Sequence, residues 1–116
     1  MMRWMICVGM LAWPFCAVAE EVKWVPMTGK QISESLTGRT LLYGAQWQDF
    51  RVSGRTLYFS GRDTWGYWEV RADQYCSMWP PSDLWACYDV ARRGDQIRFI
   101  GVQGDTTDGV LRADPE

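Results

Sequence analysis

Cys76 and Cys87 bracket the segment Ser77-Met78-Trp79-Pro80-Pro81-Ser82-Asp83-Leu84-Trp85-Ala86. No other feature restricts the fold of this chain as tightly. If Pro80-Pro81-Ser82-Asp83 forms the turn, the two cysteines stand directly opposite each other on neighbouring antiparallel strands, as a cross-strand disulfide requires. Ten intervening residues do not fit a Cys-x-x-Cys redox pair. The reading is therefore a structural disulfide, Cys76–Cys87, and an oxidising compartment.

The first residues agree with export. Arg3 supplies a positive start, Trp4 to Ala12 an apolar run too short to span a bilayer, and Ala17-Val18-Ala19 a small-x-small cleavage site before Glu20. Residues 1–19 are read as a signal peptide that carries Cys7 and Cys16 away. Residues 20–116 then form a single domain of 97 residues, small enough to gain from a staple. It carries 11 basic and 14 acidic residues, a net charge of −3, which gives no basic field for nucleic acid. No second apolar run is present to span a membrane. The expected location is the periplasm or the exterior.

The chain has no histidine. This removes the commonest general base and metal ligand, and with them the Ser-His, Cys-His and zinc–histidine constellations. No catalytic residues, metal ligands or cofactor are assigned. The run Gly104-Asp105-Thr106-Thr107-Asp108-Gly109 has too few carboxylates at loop spacing for calcium and reads as a turn. Arg92-Arg93-Gly94-Asp95 reads as a hairpin loop with solvated charges.

Thr28 to Leu36 has a capping residue, apolar Ile32 and Leu36 at i and i+4, and Gly38 as a stop, which predicts a two-turn helix. Val22, Trp24 and Val25 offer edge-strand material before it. From Arg39 the texture becomes short apolar–polar alternations between turn residues. Strands are expected near 39–45, 47–52, 55–60, 65–71, 74–79, 85–91, 96–102 and 108–112, and a frayed tail from Ala113. The fold class is mostly β: an antiparallel meander forming a small barrel, sandwich or curled sheet, lipocalin-like in shape, with one short N-terminal helix.

Hairpin register assigns faces: the turn at 53–54 sets Phe50 against Leu57, that at 61–64 Phe59 against Gly66 and Leu57 against Trp68, that at 72–73 Val70 against Tyr75 and Trp68 against Ser77, that at 80–83 Trp79 against Leu84, and that at 92–95 Val90 against Ile97. One face collects Phe50, Leu57, Phe59, Trp68, Val70, Tyr75, Trp79, Leu84, Tyr88, Val90, Ile97 and Phe99 as an aromatic core. Gly66 falls opposite Trp79 and leaves room for its indole. The second face holds Thr56, Glu69, Gln74, and Asp89 opposite Arg98, together with an apolar patch of Tyr58, Tyr67, Met78, Trp85, Ile100 and Val102 beside the disulfide. That patch is either covered by the Ile32/Leu36 helix or open as a ligand or partner surface. In a closed barrel one face lines the interior instead. Trp47, Trp65 and Trp85 are the tryptophans expected outside the core.

Gly38-Arg39-Thr40, Gly66-Tyr67-Trp68-Glu69-Val70, Tyr75-Cys76 and Ala86-Cys87-Tyr88 together resemble a group of small exported, largely uncharacterised proteins of Gram-negative bacteria. The resemblance spans about residues 28–102 and implies a periplasmic β domain with one disulfide. It implies no catalytic residues. The functional expectation is a non-enzymatic binding or inhibitor module working through Trp85, Tyr67, Met78 and Tyr58 on an unknown protein. The alternative is a lipocalin-like carrier of a small apolar ligand, and an enzyme stands third.

Overall fold

The structure is a computed structural model that describes residues 22–113. The expected signal peptide, 1–19, and all but the first residue of the expected tail lie outside the described residues.

Strand β1 (Val25–Pro26) leads into helix α1 (Gly29–Leu36), and eight longer strands follow: β2 (Arg39–Tyr43), β3 (Gln46–Phe50), β4 (Arg55–Phe59), β5 (Asp63–Arg71), β6 (Gln74–Met78), β7 (Ala86–Arg93), β8 (Gln96–Ile100) and β9 (Thr106–Leu111). Each of β2 to β9 pairs antiparallel with the next, and β9 pairs back onto β2 through Leu41↔Leu111 and Leu42↔Val110. The meander is thus a closed eight-stranded barrel. β1 attaches to the end of β7 beyond the reach of β6 (Val25↔Arg92, Pro26↔Ala91), so that stretch is not left as a free edge.

The helix begins where the sequence places it. Thr28 caps it reciprocally with Gln31: the Gln31 N–H donates to the Thr28 hydroxyl, and the Thr28 N–H donates to the Gln31 side chain. A β-carbon at Gly29 would collide with the Ala72 carbonyl, so only glycine lets the helix start against the β5–β6 turn. The Gly29 N–H donates to Asp73 there, at 2.8 Å.

Helix α1 does not lie over the outer face of the sheet. Ile32 and Leu36 are fully buried with Leu41, Phe50, Trp68, Val90, Ile97 and Leu111. The helix closes one end of the barrel, the end that carries the turns at 51–54, 72–73 and 94–95. Phe50 is the centre of this packing, with its ring edge-on to Trp68 (5.5 Å) and Tyr75 (5.8 Å). The Trp68 indole N–H donates to the Arg51 carbonyl, so no polar atom is wasted by its burial.

Cys76 and Cys87 are opposed and bonded, as are their neighbours Tyr75↔Tyr88 in register, and Val70↔Tyr75 and Trp68↔Ser77 hold too. Three turns differ from expectation. Val52-Ser53-Gly54 makes a three-residue loop with Gly54 at φ 92°, so Phe50 opposes Thr56 rather than Leu57. A three-residue loop, Ser60-Gly61-Arg62, sets Phe59 against Asp63 and Leu57 against Trp65, not against Gly66 and Trp68. Each offset is an odd number of residues, so the first turns β4 over and the second turns the chain back. Thr56 and Tyr58 therefore face inward, while Leu57 and Phe59 face outward, Phe59 stacked on Trp47.

The third is the β7–β8 turn, which uses only Gly94-Asp95. This offset is even: Val90 meets Phe99 and Ala91 meets Arg98, and all keep their faces. Arg98 consequently pairs with Asp108 on β9 (2.8 and 2.9 Å) instead of with Asp89, which accepts from Gln74. Leu84, expected in the core opposite Trp79, is 77% exposed on the loop between β6 and β7.

Candidate functional site

The opposite end of the barrel is open. Its turns are at 44–45, 60–62, 79–85 and 101–105, and below them lies a cavity of about 650 Å³. Its size falls in the ordinary range for sites that hold a small molecule. The inward-facing side chains of β2 to β9 build it.

Two groups of rings form the wall. Tyr43, Tyr58 and Trp79 meet edge to face in sequence, at 6.3 Å each, across the side formed by β2, β4 and the end of β6. Tyr75, Tyr88 and Phe99 form the second group, Tyr75 lying 4.8 Å from Phe99 and 6.0 Å from Tyr88. Glycine makes room for the first group, at Trp79 and at Tyr43. A β-carbon at Gly66 would stand 2.5 Å from the Trp79 ring, and one at Gly109 would press on Leu41 and Tyr43.

A hydrogen-bonded chain fixes the floor. Tyr43 donates to the Gln48 side-chain oxygen Oε1 (2.8 Å), and the Gln48 side-chain Nε2 donates to Thr56 (2.9 Å) and to Tyr75 (3.2 Å). Thr56 in turn donates to the Asp49 carbonyl, and the Trp79 indole donates to Ser77. Gln48 is therefore fully used, as a buried amide must be. The hydroxyls of Tyr58 and Tyr88 have no hydrogen-bond partner among the described residues, and the Gln46, Thr64 and Thr107 side chains near the mouth are equally uncommitted.

Burial pushes the Tyr75 phenol up to about 12, against the opposing effect of its bonds to Ser77 and Gln48. Burial pushes Tyr43 up further, with neighbouring Tyr75 and Tyr58 adding to it. Both stay protonated at neutral pH. The charged group in the lining is Asp108, at the rim, whose carboxyl the Arg98 hydrogen bonds hold below its usual range. The site thus offers rings, phenolic hydroxyls and amides in a nearly charge-free wall. Among the described residues no cluster of three or more His, Cys, Asp or Glu is placed to hold a metal.

The outer-surface candidates are divided. Tyr67 and Met78 oppose each other on β5 and β6, on the outer face. Trp85 lies just before β7, with the Arg71 guanidinium 4.6 Å above its ring. Tyr58 is not with them: the turned β4 places it inside, on the cavity wall. Trp65, beside Tyr67 on the outer face, is the better-placed companion. Arg55 lies between the two rings, 4.6 Å from Trp65 and 5.4 Å from Tyr67, and Arg51 covers Trp65 as well.

Tyr75, Trp79, Tyr88 and Phe99, expected as packed core, line the cavity instead, together with Tyr43, Gln46 and Gln48, which the hairpin register does not single out. A signal was available in the side-chain types. Four inward aromatics are tyrosines, and β3 places two glutamines inward; a dry core favours neither.

Comparison of the chain with protein-family models, with curated proteins and with solved structures finds no match. Among the described residues no helix is long and apolar enough to cross a membrane. The disulfide is consistent with an extracellular or periplasmic protein.

Proposed function

We propose that this chain is an exported, non-enzymatic binding barrel that takes up a small ligand through its open end and holds it against the two aromatic groups. The observation that carries this is the 650 Å³ cavity, walled by six aromatic side chains and floored by an ordered Gln48 network. A packed core of the same composition would leave no such volume. The uncommitted hydroxyls of Tyr58 and Tyr88 supply the few polar contacts by which an apolar pocket orients its occupant. Expected export, with Cys76–Cys87 as the staple, fits a carrier or receptor in the periplasm.

The test is a thermal-shift screen of small ring-bearing and amphiphilic compounds, with native mass spectrometry on freshly purified protein. A ligand at 100 times its Kd adds about 2.7 kcal/mol, which moves the midpoint of a domain this size by roughly 10–20 °C. Thr64→Trp, which fills the mouth, is expected to abolish the shift while leaving the unliganded midpoint in place. No shift with any compound and no co-purified mass would overturn the reading.

A second reading has its own observation. Trp65 and Tyr67 are 38% and 41% exposed, under Arg51 and Arg55 on the outer face. Such an arginine–aromatic ladder suits a protein partner, as an inhibitor module would need. Capture of a partner that Tyr67→Ala and Trp85→Ala both abolish supports it; unchanged capture removes that surface from consideration.

A further inference from the structure

Resting on the cavity reading above, the geometry points to a cationic ligand, an ammonium-bearing small molecule held in an aromatic box. Three independent features converge. First, the lining contains six aromatic rings and no lysine or arginine. The face of a ring is negative, so the ring faces in this wall favour a cation, and no basic side chain is present to neutralise an anion. Second, the hydroxyls of Tyr58 and Tyr88, which have no partner among the described residues, give an ammonium group oxygens to rest against.

Third, charge is distributed unevenly along the barrel axis. The loops and strand ends around the mouth carry Asp63, Asp83 and Asp105 against Arg62, and none of the three carboxylates forms an ion pair among the described residues. At the plugged end Lys30, Arg51 and Arg71 pair with Glu34, Asp49 and Glu69, and Arg55, Arg92 and Arg93 remain against Asp73 and Asp95, so this end is not acidic as the mouth is. The field along the axis therefore draws positive charge toward the open end and turns fatty acids and other anions away. Asp108 is already engaged by Arg98, so the rings and the unpaired rim carboxylates are what meet the ligand's charge.

The experiment compares choline with 3,3-dimethylbutan-1-ol, in which carbon replaces the quaternary nitrogen at nearly constant shape. Binding is followed on the full chain by NMR of the tryptophan indole N–H signals, Trp79 included. Choline is expected to bind about tenfold more tightly than its neutral isostere, and more weakly as salt is raised. Tyr58→Leu is expected to lower that ratio severalfold, a readout insensitive to a general loss of stability. Equal or tighter binding of the isostere overturns the cationic assignment and leaves the cavity reading standing. So does silence from both probes when screened compounds still shift the thermal midpoint. If no compound of any class binds, both fall together.

Discussion

The two ends of the barrel are made from the same eight strands and behave as different materials. At the plugged end, Ile32 and Leu36 enter the barrel beside Phe50, Leu41 and Ile97, and these inward side chains are all fully buried. At the open end, tyrosines replace the aliphatic residues, hydroxyls go unpartnered, and a cavity remains. The difference teaches that stability and recognition are separated along the axis. One end supplies the burial that holds the chain folded, and the other can leave space because of it.

The comparison is broken most directly at Phe50. Phe50→Ala is expected to cost about 3–5 kcal/mol, read as a fall in the denaturation midpoint at unchanged m-value. A small effect would mean that the plugged end is as loosely packed as the mouth. Next is the staple: reducing Cys76–Cys87, or replacing both cysteines by serine, is expected to remove about 3 kcal/mol and lower the thermal midpoint by roughly 10–20 °C. Verified reduction with no change would show that the hairpin is held without it.

Alkaline pH probes the boundary between the two ends, where Tyr75 sits. Its folded pKa is raised above 10 to about 12, so the folded state keeps a proton that the unfolded state gives up. The contribution is complete below about pH 9 and is lost as pH rises from 10 to 12, by roughly 2–3 kcal/mol, with Tyr43 acting in the same sense. Urea midpoints between pH 9 and 12 check this, and Tyr75→Phe is expected to flatten the profile. The smallest effect is at the mouth. Tyr88→Phe removes a hydroxyl with no partner, and stability is expected to stay within about 0.5 kcal/mol while ligand affinity falls. A large stability loss there would erase the distinction between the ends.

Much of the plugged end is legible in the sequence. The cap at Thr28, the Ile32/Leu36 pair and the stop at Gly38 are local signals, and the helix they specify is the helix that forms. The disulfide hairpin is local as well. The errors come from turn length, because Val52-Ser53-Gly54 and Ser60-Gly61-Arg62 each admit more than one loop type, and an odd offset moves a strand to its other face. That is why Tyr58 was placed among outer-surface residues and stands in the cavity. The mouth was hidden for a deeper reason. The cavity exists only because β9 returns to β2, and pairing across such a distance leaves no mark in the intervening residues.

That return also defines where the barrel is easiest to open. The seam has two ladder pairs, Leu41↔Leu111 and Leu42↔Val110, continued by the Arg112 N–H bond to the Thr40 carbonyl, whereas the joint between β8 and β9 runs over five residue pairs. The seam ends beside Tyr43 on β2 and Thr107 on β9, which flank it where it reaches the cavity. An occupant touching both residues is expected to bind the two strands together across that seam. Amide hydrogen exchange in Leu42, Tyr43 and Val110 is where occupancy would be felt as time, in the interval between one opening and the next.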